Sequence, residues 1–127
     1  MSIKNQIFQV HNAIFQTLID ANLGVDVIAN RGAIVGYPYL IITGTKKDAV
    51  GCLQVKTLTE IDVVTKDFSI ISPSVILQNI ENCLKVENLA KKIEFYAINH
   101  AHVISCETMS TQEGFFTGKL ILEVVLD

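Results

Sequence analysis

Tyr37-Pro38-Tyr39-Leu40-Ile41-Ile42-Thr43-Gly44 is the segment that decides the predicted fold. Pro38 restricts its own φ and favours an extended conformation at Tyr37, so a strand can begin abruptly here. Three consecutive apolar residues follow, two of them β-branched, as is typical of a strand covered on both faces. The glycine then opens a polar segment, residues 45–48, which we predict to be a turn. We therefore predict a central strand with helices before it and antiparallel partners after it.

Helical periodicity is present on both sides of the predicted central strand. Residues 3–21 place apolar side chains at three- and four-residue steps, with Ser2 as the predicted N-cap and Asn22 with Gly24 as the predicted stop. Ser72-Pro73 predicts the start of a second amphipathic helix that ends near Lys85 or Val86. Both helices carry one apolar stripe, so we expect both to pack against the sheet.

Alternating apolar and polar residues predict the other strands. Residues 25–28 are typical of a short edge strand, and residues 53–66 of a long strand solvated on one face. Residues 93–106 and 116–126 predict two further strands, joined by a polar turn over residues 107–114. The predicted fold is thus a single α+β domain over residues 1–127. Two main helices pack against a mixed or antiparallel sheet of about four or five strands.

Composition excludes several classes of protein. Half of the 127 residues are hydrophobic and 18% are charged, which is not the composition of a disordered chain. The net charge of −3 and the absence of any Lys/Arg run argue against sequence-specific binding of nucleic acid. Three scattered cysteines predict a reducing compartment, and no apolar run is long enough for a membrane span. Because residues 1–6 lack an apolar core for a signal peptide, we expect synthesis in the cytoplasm.

His100-x-His102 with Cys106 is the sharpest candidate for a metal site. On a regular strand these three side chains project to one face, and imidazole and thiolate both bind zinc. However, Cys106 lies about 13 Å beyond His102 along such a strand, too far to share an ion without a bend. The sequence places no fourth ligand nearby, so we predict no metal site and no other cofactor.

The remaining chemical candidates have simpler structural explanations. Cys83 falls on the apolar stripe of the second helix, where core packing explains it. Gly44-Thr45-Lys46-Lys47 lacks the glycine spacing and the following helix of a phosphate loop. Glu60 and Asp62 share the solvated face of a strand, where carboxylates confer solubility. We therefore expect no catalytic residues and no enzyme.

The order and spacing of these elements resemble those of the bacteriophage tail terminator, or tail completion, family. The segments that carry the resemblance are distributed over nearly the whole chain: residues 18–23, 37–42, 58–64, 75–84 and 120–125. The start of the Pro-Tyr strand, at Tyr37–Ile42, is the most motif-like of them. The polar helix start at residues 69–74 and the histidine-bearing third strand depart from the pattern, which leaves a related neck or tail-tube component open.

The resemblance implies a virion structural protein without catalytic residues. Such proteins form rings, typically of six subunits, that cap a finished tail tube at its head-proximal end and present a surface to the head connector. A head-to-tail ring needs two different complementary patches on each subunit. We predict that one patch is the hairpin around residues 45–48 and the other is the loop over residues 107–114. The predicted contact residues are Thr45, Lys46, Lys47, Asp48, Gln112 and Glu113.

Two alternatives of other classes remain open at this point. The first is a small peptide- or ligand-binding module that uses an exposed strand edge. The second is a small enzyme or metal protein, which the histidine pair would have to support. The expected partners on the preferred interpretation are further copies of the chain, the tail tube protein and the head completion protein, and neither a membrane nor a specific nucleic acid sequence.

Overall fold

A five-stranded mixed sheet with helices on one face forms the fold. The structure is a computed structural model, and it describes residues 3–28, 32, 36–50, 54–66, 73–94, 96–110 and 113–127. The elements in chain order are α1 (Ile3–Asp20), β1 (Asp26–Ile28), β2 (Tyr39–Val50), β3 (Val55–Lys66), α2 (Pro73–Cys83), α3 (Val86–Ala90), β4 (Ile98–Ser110) and β5 (Phe115–Leu126).

The strand order in the sheet is β1-β2-β3-β5-β4. β1 pairs with β2 in parallel, and all other neighbours are antiparallel. This confirms the predicted α+β fold with a mixed sheet of five strands. The strand that begins after the cis Tyr37–Pro38 bond is second in the sheet, however, and β3 holds the central position.

The core lies between the helices and one face of the sheet, which we call the inner face. Alternate residues of β3 are buried from Val55 to Thr65, as the predicted alternation requires. The fully buried side chains come from α1, α2, α3 and the inner face, and the largest are Ile14, Leu18, Leu40, Ile61, Ile76, Ile80, Leu84, Leu89, Leu120, Leu122 and Leu126. The amphipathic stripes of both predicted helices therefore pack as expected.

Helix ends follow the sequence signals closely for α1 and less closely for α2. Asn22 and Gly24 adopt positive φ after α1, which confirms the predicted stop. α2 ends at Cys83, earlier than predicted, because Lys85 takes an extended conformation. A short third helix then buries Leu89. The sequence did not predict this helix, because one turn of helix carries no periodic stripe. Ser2 and Ser72, the two predicted N-caps, lie outside the described residues.

The predicted turn over residues 45–48 is wrong, because β2 continues through this segment to Val50. Two register shifts, between Ile42 and Gly44 and between Lys47 and Ala49, absorb the extra residues as β-bulges while pairing with β3 continues. Beyond Ile41 the strand has no described partner on its other side, so its polar residues keep contact with water. Polar composition here marks an edge strand.

The polar segment over residues 107–114 holds a turn, as predicted, but its first half is strand and not loop. β4 runs on to Ser110, paired residue by residue with β5. The described turn is confined to Glu113 and Gly114, and Gly114 supplies the positive φ that closes it. Pairing with Phe116–Lys119 of β5 holds this polar segment in the sheet.

Gly118 provides a test of how closely the sheet and α2 pack. A Cβ at this position would lie 2.6 Å from Cδ1 and 3.2 Å from Cγ of the buried Leu77. We expect Gly118→Ala to lower the free energy of unfolding by about 1–3 kcal/mol, because Leu77 must leave its rotamer or α2 must shift. Gly44→Ala is the matched control, since nothing lies within 4 Å of its Cβ position. Equal denaturation midpoints for the two variants would contradict the close packing of Gly118 against Leu77.

Candidate partner surface and the histidine–glutamate cluster

The sheet presents two free edges that differ in chemistry. One is β4, which pairs only with β5 in the described part of the chain. The other is the section of β2 from Ile42 to Val50, which no described strand pairs on the side away from β3, since β1 pairs with Tyr39–Ile41. Unpaired backbone groups along an edge are a template for another chain. Two unlike edges on one sheet permit head-to-tail contacts between copies.

The first predicted contact set lies on the β2 edge. The Oγ1 atom of Thr45 points to the inner face, 2.9 Å from Nδ1 of His11 and 2.9 Å from Oγ1 of Thr59. Its hydroxyl therefore serves internal packing. Lys46 and Lys47 are exposed, and Asp48 is described only by its backbone. Among the described side chains of this set, the two lysines are the exposed ones.

The second predicted contact set lies at the opposite end and beside the opposite edge of the sheet. Gln112 is outside the described residues, whereas Glu113 is exposed in the turn before β5. The pairing of Lys66 with Phe115 marks this end of the sheet, and the pairing of Val55 with Leu126 marks the other. The two sets therefore form separate patches.

Two exposed apolar residues on β4 were not singled out from the sequence. Ile104 is 47% exposed and Met109 is 64% exposed. Ile104 is the extra residue of a bulge between Val103 and Ser105, and Met109 falls in the segment that was expected to be a turn. Their apolar character in an otherwise polar stretch was the available signal.

Met109 also lines a depression of about 330 Å³ on the outer face of the sheet, opposite the helices. Ile41 and Val64 form its apolar floor, while Asp62 and Lys119 supply charged groups. An open depression of this kind, beside a free edge, can accept a side chain from a partner.

His100 and His102 project from β4 to the outer face, where Glu123 of β5 lies between them. Nε2 of His100 is 3.0 Å and Nε2 of His102 is 3.7 Å from Oε1 of Glu123. Nζ of Lys56 lies 3.7 Å from Oε2 of the same carboxylate. Glu123 is 12% exposed, whereas the two imidazoles are 44% and 54% exposed. We call His100, His102 and Glu123 the outer-face cluster.

Cys106 does not belong to the outer-face cluster, which corrects the expectation that it shares a face with the histidines. The bulge at Ile104 reverses the alternation, so that Cys106 pairs with the buried Leu120 while Ser105 pairs with Ile121. Burial and then the nearby Glu81 carboxylate raise the pKa of the Cys106 thiol. A thiol with a raised pKa is a poor nucleophile at neutral pH.

The charges on the outer face are paired across strands. The hydrogen bond from His100, followed by the charges of Lys56 and both histidines, lowers the pKa of Glu123 against the opposing effect of burial. Glu60 lies on the neighbouring strand β3, and Thr43 of β2 donates its Oγ1 hydroxyl to Oε2 of Glu60 at 2.6 Å. This bond is the main reason that the pKa of Glu60 is lowered. Both carboxylates are therefore ionised at neutral pH.

His11 is the third histidine, and it makes stability depend on pH. Burial lowers its pKa from the ordinary value of 6.5. The contribution of the neutral His11 imidazole to stability is therefore complete above pH 6.5. It is lost as the pH falls towards the lower pKa of His11 in the folded protein, because the unfolded chain takes up the proton first. We expect the stability difference between the wild type and His11→Gln to shrink between pH 7.5 and 5 in urea titrations. A difference that is constant or grows over this range would contradict the burial of a neutral imidazole.

No protein-family model and no curated protein matches the sequence. Among solved structures, the chain is similar to one described as the virion of a native gene transfer agent particle, with a TM-score of 0.70 and 14% sequence identity. The superposition covers 99% of this chain and 98% of the other. At this identity the likeness establishes a shared fold. Among the described helices, none is long and apolar enough to cross a membrane.

Proposed function

We propose that the chain is a virion structural protein, namely a ring-forming tail terminator. In this role it caps the tail tube and joins it to the head connector. The observation that carries the proposal is the shared fold with a chain of the gene transfer agent particle, since the likeness spans nearly all of both chains. The element order of the tail terminator family, with its two helices and its closing hairpin, is consistent with it.

The two free edges supply the contacts that a closed ring requires. In a head-to-tail ring each subunit offers one surface to the neighbour on its left and a different one to the neighbour on its right. The β2 edge carries the exposed Lys46 and Lys47, while the far end of the β4 edge carries Glu107 and Glu113. Opposite charges on the two patches favour the pairing of unlike edges and disfavour the pairing of like ones.

The protein's overall charge also suits this position. A net charge of −3 and an acidic pI give little attraction to phosphate groups. DNA that passes through a tail must leave it without being held. The proposed role requires no binding of a specific nucleic acid sequence, and it requires no enzymatic activity.

Disruption of the gene in the producing strain tests the function. We expect tails of uncontrolled length and heads without tails, seen by negative-stain electron microscopy, with both defects corrected by the wild-type gene. Tails of normal length joined to heads would contradict the terminator role. Tubes that fail to form at all would instead support a tube component.

A charge reversal then tests the predicted patch on β2. We expect Lys46→Glu with Lys47→Glu to fail in complementation, because the acidic patch of the neighbouring subunit would face like charge. Lys85→Glu with Lys91→Glu is the matched control, since both lysines are exposed on the helical side of the molecule. Full complementation by both double variants would exclude Lys46 and Lys47 from the contact.

The second candidate function is a peptide-binding module. The depression beside β4 favours it, because a free edge with an adjacent pocket for a side chain is the geometry of strand addition. A monomer that binds a peptide through backbone pairing to β4 would support this candidate over the ring.

A further inference from the structure

The outer-face cluster joins three potential metal ligands through the pairing of two strands. His102 lies directly opposite Glu123, and His100 is two residues before His102 on the same face. No register shift falls between the two histidines, so the ladder fixes their spacing. The placement is a property of the paired backbone and does not depend on a flexible loop.

The ligand atoms are close enough to share one ion. All three lie within 4.8 Å of one another, and the two distances to Oε1 of Glu123 are 3.0 and 3.7 Å. Ligands about 2 Å from a common tetrahedral ion lie about 3.3 Å apart, which is between these two distances. Small rotations of the side chains are enough to bring the three atoms into coordination.

Neighbouring residues orient the ring of His100 for this role. Oδ1 of Asn99 lies 3.4 Å from Nδ1 of His100, and Nδ2 of Asn99 donates to Oδ1 of Asp127 at 3.1 Å. Because a carboxylate can only accept, this second bond fixes the amide orientation and makes Nδ1 of His100 the donor. Its Nε2 then faces the carboxylate of Glu123 either as the N–H of an imidazolium or as a lone pair directed at a cation.

We propose that His100, His102 and Glu123 form a three-ligand site for Zn²⁺ on the outer face of the sheet. Two imidazole nitrogens and one carboxylate oxygen are a donor set that zinc accepts, with a fourth position left open to solvent. The half-exposed imidazoles leave the ion accessible from solution. This inference is independent of the proposed role in a virion.

Lys56 limits the affinity of the site. Its ammonium group interacts with Oε2 of Glu123, which leaves Oε1 as the ligand atom and places a positive charge beside the ion. Removing that charge is expected to strengthen binding, whereas removing a ligand is expected to weaken it. If substitution of Lys56 tightens the binding of Zn²⁺ while substitution of a histidine weakens it, the ion is bound at this cluster and not adventitiously elsewhere.

Titration of the full chain with Zn²⁺ by calorimetry, and with Co²⁺ by visible absorption, tests the proposal. We expect one ion per chain and a tetrahedral Co²⁺ spectrum, with His100→Ala and His102→Ala each weakening binding at least about tenfold. Lys56→Gln should tighten it several-fold, and Glu60→Gln, which changes a carboxylate on the same face, should leave it unchanged. Circular dichroism checks that each variant is folded.

Three outcomes would overturn the proposal. The first is no saturable binding by the wild-type chain, and the second is binding that survives the double substitution His100→Ala with His102→Ala. The third is binding that is lost when Cys83 and Cys106 are replaced by Ser but retained without the histidines, which would place the ion on thiols.

Discussion

Leu120→Ala is expected to lower the free energy of unfolding by about 2–5 kcal/mol, the range for a buried leucine whose site collapses only in part. Leu120 is fully buried in β5, with Ile61 opposite it on β3 and Cys106 opposite it on β4. In a chain of this length such a loss lowers the melting temperature by about 10 °C. Thermal unfolding followed by circular dichroism measures the effect.

Leu120→Met is the matched control for this truncation. It nearly conserves the side-chain volume, so we expect it to cost less than about 1.5 kcal/mol. A melting temperature for Leu120→Ala that equals that of Leu120→Met would show that this position is not enclosed between the sheet and α2 as described.

Ile104→Lys with Met109→Lys is expected to prevent self-association while leaving the subunit folded. Both apolar side chains are exposed on the β4 edge, so substitution costs the isolated subunit little. In the proposed ring we expect both side chains to be covered. The loss of their burial, with the cost of covering two charges, is then expected to weaken assembly at least about 30-fold.

Sedimentation velocity of the double variant and the wild type measures this effect. Ile19→Lys is the control, because Ile19 is exposed to a comparable degree, 44%, but lies on α1. Association of the double variant equal to that of the wild type would exclude the β4 edge from the contact.

The fold was predictable from the sequence in those segments where the periodic pattern of apolar residues matches the buried face. The alternation from Val55 to Lys66 is reproduced along the whole of β3, and the stripes of α1 and α2 face the core. Each of these segments keeps one period over many residues, so the positions of its apolar residues show which face is buried. The closing strand β5 follows the same rule.

The fold was not predictable where pairing with a distant strand overrides local composition. Thr45–Asp48 and Glu107–Ser110 are polar enough to suggest turns, yet both are held in the sheet by partners elsewhere in the chain. Edge strands tolerate polar residues because one of their sides faces water. The sequence indicated the short edge strand at residues 25–28, but it did not show that β4 and the second half of β2 also lie at edges.

In the candidate sites, too, local features were predictable from the sequence, whereas features set by strand pairing were not. The sequence suggested the His100 and His102 pair, because alternation along a strand is local. It did not reveal Glu123, which lies more than 20 residues away and reaches the histidines only through the register of β4 with β5. It also placed Cys106 on the wrong face, because a bulge is not visible in composition.

Solution mass across a concentration series, with negative-stain images of the same fractions, tests whether the chain forms a closed ring. We predict a closed ring that grows in population with concentration, with a mass near six times the 14.0 kDa subunit, and the same ring on the ends of tail tubes. A monomer or a two-fold dimer at every concentration, both alone and with tubes present, would contradict the proposed ring-forming terminator.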